Sequence, residues 1–311
     1  MTKRAVVAGI NDYTILDPTG KSNLSHCVGD ARSMHHLLRD SFGFTDIYHY
    51  ENLHASRDRI LNALRHVLSI SEAGDSVCFY FSGHGARVRA DLSRADCDLY
   101  YEALVPASGA WITDRDLAQL ANRLEPDHVN FTVVTDACNS GGIHPADASI
   151  KCRTPTYSSE LIQAIVNFLQ TLIPCGICLS ADSTELNNNV SNVQAMDNGM
   201  IDLDPDPDKT LIAGSKSTLL SACRFDELSW ESGRYRHGLF TQSFLDIVNQ
   251  SNFQASYHEM IEQLHSKVEE KIAAAIRPYH PGTVQTPQLF GQRNRMEENF
   301  LAGWIRTPAQ P

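Results

Sequence analysis

The chain lacks any apolar run near the roughly 20 residues that a bilayer-spanning helix needs, which excludes a helical membrane span. No secretory leader is expected. Lys3-Arg4 run directly into an apparent strand, Ala5–Ile10, with no h-region and no small-residue cleavage site. The expectation is a cytoplasmic protein with no membrane partner. Basic residues are scarce: 26 Lys and Arg stand against 37 Asp and Glu, a formal net charge of −11. A nucleic-acid binder needs a basic face, so no nucleic-acid partner is expected. No internal repeat is visible. The eight cysteines are scattered, and Cys78 and Cys223 sit inside apparent strands. That is core or catalytic thiol usage in a reducing compartment, not a disulfide framework.

The 311 residues, 42% of them hydrophobic, alternate strand and helix through the first half. Strands are expected at Ala5–Ile10, Ile47–Tyr50, Val77–Phe81 and Phe131–Thr135. Helices are expected at Asp30–Leu38, at Arg57–Leu68 with Ser56 as N-cap, and at Asp114–Leu124 with Thr113 as cap. The stretch after His84 reads as a polar loop followed by a short extended piece, Ala103–Pro106. This order argues for an α/β fold, a mostly parallel central sheet with helices on both faces. Residues 184–217 are polar and read as a linker, holding Lys209 and Lys216. Order resumes with a strand at Thr218–Cys223, helices at Leu239–Val248 and Tyr257–Ile276, and a final strand at Gln285–Phe290. Pro287 confines that last strand to an edge.

Two strands end alike. Val77-Cys78-Phe79-Tyr80-Phe81 runs into Ser82-Gly83-His84-Gly85. Phe131-Thr132-Val133-Val134-Thr135 runs into Asp136-Ala137-Cys138-Asn139-Ser140-Gly141-Gly142. Carboxyl ends of parallel strands are where α/β sheets place their chemistry. A histidine at one such end and a cysteine at another make a thiolate–imidazole pair, the equipment of a cysteine hydrolase. Cys138 is then the nucleophile and His84 the base. The glycines allow backbone N–H groups close to the reacting carbonyl; Gly85 and Cys138 are the candidate oxyanion donors.

These motifs resemble those of the caspase-like cysteine peptidases, and Cys138 follows His84 by 54 residues, in line with the family's spacing. Asp136-Ala137-Cys138 is closer to metacaspases and prokaryotic caspase homologues than to animal caspases. Leu24-Ser25-His26-Cys27-Val28-Gly29-Asp30-Ala31, Leu220–Cys223 with Asp226-Glu227, His237-Gly238-Leu239-Phe240-Thr241 and Gln285-Thr286-Pro287-Gln288 extend the likeness along the chain. The resemblance implies one caspase-like domain over 1–311. Residues 1–142 are its large-subunit-like part, 143–217 an activation loop, helix and linker, and 218–311 its small-subunit-like part.

It further implies that Asp30 and Asp136, with Ser82, form the S1 pocket. Two carboxylates there favour a protein or peptide substrate with Arg or Lys at P1 and reject Asp. Read from its neighbours alone, Asp30 is an ordinary helix N-cap. Trp230 is a candidate S2 or S4 wall, with a core tryptophan as the alternative; Cys27 is a candidate pocket cysteine or a packed thiol. Lys151 and Arg153 are candidate processing sites, which would make the chain a zymogen cut by itself or by an activating protease. No cofactor is expected. Calcium is not favoured: Asp91, Asp96, Asp98 and Glu102 read as a solvated acidic loop, and Arg115 interrupts Asp114 and Asp116. The rivals are a catalytically silent caspase-fold scaffold, and a metal or redox protein built on Cys175-Gly176-Ile177-Cys178 with His26, Cys27, His35 and His36. The latter lacks the second Cys pair of a zinc site.

Overall fold

The computed structural model describes residues 1–89, 100–122, 129–137, 150–152, 217–224, 226–250, 254–291 and 293–302. A six-stranded sheet organises them. Its strands are β1 (Lys3–Gly9), β2 (Asp46–Glu51), β3 (Ser76–Ser82), β7 (Asn130–Asp136), β9 (Ser217–Ser221) and β12 (Gln288–Phe290), in the order β12-β9-β7-β3-β1-β2. All neighbours run parallel except β12, which is antiparallel to β9 on the edge. The strand begins just after Pro287, as the missing N–H requires.

Strands β3 and β7 are buried along their whole length, which explains their continuous apolar composition. One sheet face is covered by α1 (Cys27–Phe42), α4 (Leu239–Val248) and α5 (Tyr257–Ala275); Val7, Tyr80 and Val134 pack there with Met34, Phe240, Phe244 and Leu264. The other face is covered by α2 (Arg57–Ser69) and α3 (Asp114–Asn122), whose Leu64, Val67 and Leu117 meet Val6, Phe79 and Val133. Each such side chain stabilises by about 1.5–3 kcal/mol on burial.

The caps follow from sequence. Ser56 accepts from Arg59 N–H at the start of α2. Thr113 and Asp116 cap α3 reciprocally: Asp116 N–H donates to Thr113 Oγ1, and Thr113 N–H to Asp116 Oδ2. Helix α5 opens on a Ser256–Glu259 capping box. Helix α1 begins at Cys27, three residues before the expected start, and ends at Gly43 in the left-handed region (φ 71°).

Two small sheets differ from the sequence expectation. The residues after His84 form β4 (Gly85–Arg89), paired antiparallel with β5 (Tyr100–Leu104), which pairs in turn with β6 (Ile112–Thr113). The second sheet, β11-β10-β8, joins His237–Gly238 and Trp230–Ser232 to Ile150–Cys152. These strands are two to five residues long, too short for an alternating pattern to announce them.

Candidate active site

The carboxyl ends of β1, β3 and β7 lie level, because the register pairs Gly9 with Ser82 and Ser82 with Asp136. Residues just beyond these ends are therefore neighbours. His84 lies two positions past β3, and Cys138 two positions past β7. Cys138 itself lies outside the described residues, as do Arg153, Lys209, Lys216, Asp91, Asp96, Asp98, Cys175 and Cys178.

His84 is 1% exposed and held from three directions. Its backbone N–H donates to Tyr13 Oη at 2.8 Å, and its carbonyl accepts from Val105 N–H at 2.9 Å. The Tyr13 ring lies 4.4 Å from the imidazole centroid. Tyr13 Oη donates in turn to the Val105 carbonyl. Gly83 makes room for this hydroxyl: a Cβ there would stand 2.5 Å from it.

The third hold fixes the chemistry. His84 Nε2 is 2.6 Å from the Ser22 carbonyl oxygen. A carbonyl only accepts, so Nε2 carries the proton and Nδ1 is the basic nitrogen of the neutral ring. The Ser22 carbonyl is placed by Asp17, 1% exposed, whose carboxylate accepts from Thr19 N–H, Thr19 Oγ1 and Ser22 N–H at 2.6–3.0 Å. Burial opposes the charge on Asp17, but these donors outweigh it and hold the carboxyl below its ordinary range. Asp17 and Ser22 are not among the expected site residues. Their signal is the turn sequence Asp17-Pro18-Thr19-Gly20.

Asp30 and Ser82 meet in a hydrogen bond, and Ser82 pairs in register with Asp136. Asp30 is fully buried and accepts from Ser82 Oγ (2.9 Å), His237 Nδ1 (2.7 Å) and Gly238 N–H (3.2 Å). It lies inside the first turn of α1, not at its N-cap, which is His26, so the capping role is excluded. Asp136 is equally buried and accepts from Ser229 Oγ (2.7 Å), Thr241 N–H (3.1 Å) and Thr241 Oγ1 (2.6 Å). Tyr80 Oη and Thr241 Oγ1 are 2.6 Å apart. The donors Ser229, His237, Gly238 and Thr241 all come from the last third of the chain. Only the His237–Thr241 run stood out in the sequence, and it carried no role.

Gly85 opens β4 opposite Leu104. Cys27 is buried, its Sγ 3.8 Å from Glu231 Oε2. Glu231, 1% exposed, also accepts from Ser25 and His26 N–H, pinning the start of α1 to β10. That acid escaped the sequence reading altogether. Trp230 packs among Leu239, Val268, Ile272 and Ile276 and is 3% exposed. Of its two readings, this is the setting of a core tryptophan. Lys151 lies in β8, opposite Glu231 on β10.

The acidic residues beyond β5 arrange differently. Arg57 holds Asp116 through two nitrogens, at 3.0 and 3.1 Å. Asp114 is pushed up to about 7, first by burial and then by Glu102. Calcium takes six to eight oxygens. Among the described residues no group of three or more His, Cys, Asp or Glu could hold a metal. No helix of the described residues is long and apolar enough to cross a membrane.

Known proteins agree with this architecture. The caspase domain pattern matches residues 2–297. Metacaspase-9 of Arabidopsis thaliana is 27% identical over 335 aligned positions, covering 96% of both chains. Metacaspase-4 of the same plant is 32% identical over 154 positions, 46% of this chain. The match spans about a third of the length of that relative, 34%. A Geobacter sulfurreducens protein of solved structure superposes with a TM-score of 0.63 at 21% identity, over 96% of this chain and 97% of that one. The fold is thus the caspase-like α/β fold with a mostly parallel sheet.

Proposed function

Since the chain belongs to the caspase domain family, we propose that it is a cysteine endopeptidase that cuts after Arg or Lys. The observation that carries this reading is the imidazole of His84, pinned through Nε2 so that Nδ1 is left basic, at the end of the strand beside the one that leads into Cys138. In the proposed reaction His84 Nδ1 takes the Cys138 thiol proton, and the thiolate attacks the scissile carbonyl carbon. Backbone N–H groups of Gly85 and Cys138 meet the oxyanion. The intermediate collapses as His84 returns the proton to the leaving amine. Water, activated by the same imidazole, then hydrolyses the thioester and frees Cys138.

The specificity follows from charge. Asp30 and Asp136 are fully buried, and their named donors are hydroxyls, backbone N–H groups and one imidazole. A substrate guanidinium or ammonium supplies the full positive charge that such a pair favours; an Asp side chain meets like charge. Peptides ending in Arg–coumarin or Lys–coumarin test both claims. Cys138-dependent release is expected after Arg and Lys and not after Asp. Equal release by Cys138→Ala overturns the reading; no release by the wild type before and after limited proteolysis overturns it too and leaves the silent scaffold.

Activation is proposed to involve Lys151 and Arg153. Strand β8 lies antiparallel on β10, with Lys151 in register with Glu231. Peptidases bind their substrates extended, so a cut after Lys151 requires β8 to leave β10 and coupling of the cut to rearrangement around Glu231 follows. Unchanged migration and activity of a Lys151→Gln/Arg153→Gln double variant would exclude this region. Calcium independence is proposed as well, on the spending of Asp116 on Arg57. Equal activity in excess calcium and in chelator is the expected result.

A further inference from the structure

Ile15 and Leu53 are large apolar side chains left 56% and 53% exposed, on loops at the end of the sheet where His84 sits. We propose, resting on the peptidase reading above, that they form the contact surface for the substrate residues just after the cut bond and select a bulky apolar side chain there.

Placement carries the proposal. Ile15 lies in the turn 13–17, closed by the Leu16 and Asp17 N–H groups, which donate to the Tyr13 carbonyl at 2.9 and 2.8 Å. The loop that holds this turn touches the imidazole twice, through the Tyr13 ring and through the Ser22 carbonyl. Leu16 packs against the core, so the turn is anchored while Ile15 meets solvent. Leu53 lies in a single helical turn, Asn52–His54, just past β2. Asn52 fastens that turn to the first loop: its Oδ1 accepts from Asn11 and Asp12 N–H at 2.9 and 3.1 Å. It does so at φ 46°, a left-handed value that asparagine tolerates better than most side chains. The Ala55 carbonyl in turn accepts from Ala107 N–H, two residues from the Val105 N–H that donates to the His84 carbonyl.

The direction follows from the two faces of the sheet. The expected S1 donors stand towards α1 and the start of α4, on one face. Tyr13, Leu16 and Ala55 belong to the apolar cluster under α2 and α3, on the other. His84 stands between: Ser82 bonds Asp30, while the His84 N–H bonds Tyr13. With the P1 side chain held by the acids, the chain beyond the cut has to pass the imidazole, which protonates the leaving amine. It then runs onto the loops of Ile15 and Leu53. Successive side chains of an extended peptide turn to opposite sides, so one of the first two residues after the cut meets this surface. Single exposed apolar residues are ordinary. These two differ from exposed Met1 and Ile70, which lie before β1 and at the end of α2, because their loops are tied to His84.

Internally quenched peptides with Arg at P1 test this on the full chain, with the cut position read by mass spectrometry. One peptide carries Leu-Leu after the Arg, the other Ser-Ser. The wild type is expected to cut the first with kcat/KM about tenfold higher, the scale of a small change in apolar contact at a specificity surface. The ratio is taken within each protein, so that differing fractions of active enzyme cancel. Ile15→Ser and Leu53→Ser are each expected to lower it, and the double variant to bring it close to unity. Ile70→Ser, at the far end of the sheet, is expected to keep the wild-type ratio. A wild-type ratio near unity, or an undiminished ratio in the double variant, overturns the surface and leaves the peptidase reading standing. Cutting of neither peptide, before and after limited proteolysis, overturns both.

Discussion

Two pairs of acids in this molecule differ in how they are solvated. Asp136 ends β7 and Asp30 lies in the first turn of α1, and both accept from donors drawn from residues 82 and 229–241. Asp114 sits beside Glu102 and is pushed up to about 7 by burial and like charge. The difference is in the neighbours: Asp30 and Asp136 accept from hydroxyls and amides, whereas burial and the Glu102 carboxylate drive Asp114 to keep its proton.

Removing charge from the well-solvated pair should have the largest effect. Asp136→Asn is expected to cut kcat/KM for Arg and Lys substrates by at least about 100-fold, since a charge-assisted bond to the substrate is lost. It should also destabilise the fold by about 1–3 kcal/mol, because the amide keeps one acceptor oxygen and either the Ser229 or the Thr241 donors lose theirs. A matching loss on uncharged P1 substrates would break the comparison by showing the effect to be general. Asp17→Ala probes the same principle one step from the chemistry. With Thr19 and Ser22 released, kcat should fall about tenfold with KM little changed, because only the aim of His84 suffers. Asp17→Asn, which keeps one acceptor, should recover part of that loss, and steady-state kinetics on the three proteins would decide.

The poorly solvated pair should give the smallest and opposite effect. In the folded chain Asp114 keeps a proton up to about pH 7, while in the unfolded chain it releases it near pH 4. Stability therefore falls as pH rises from about 4 to about 7 and is level above. Asp114→Asn removes this slope, so its melting temperature should exceed the wild type's at pH 8 and approach it at pH 4. Scanning calorimetry at the two pH values measures this. If calcium filled this place, adding it at pH 8 would erase the difference; no such effect is expected.

The legibility of these places in the sequence follows their physics. His84 announced itself because its small neighbours are needed locally: Gly83 has to admit the Tyr13 hydroxyl. The parallel sheet was legible for the same reason, since strands buried on both faces must be continuously apolar. Asp30 was ambiguous, because an acid near a helix start is most often a cap; only its partners 52, 207 and 208 residues away reveal its role. Glu231 was invisible, as its work on the Ser25 and His26 N–H groups leaves no mark on composition, and Asp17 left only the turn sequence around it. The short strands β4, β8 and β10 were missed because pairing, and not periodicity, defines them.

The order β12-β9-β7 has a last consequence. Two strands from beyond residue 216 are laid against one from before residue 137, and Glu231 reaches back to Ser25. A backbone scission anywhere in 153–216 would thus yield two polypeptides on a denaturing gel and one particle on a sizing column. Neither fragment could drift away without stripping the flank of β7, so a nicked chain would go on behaving as a single body.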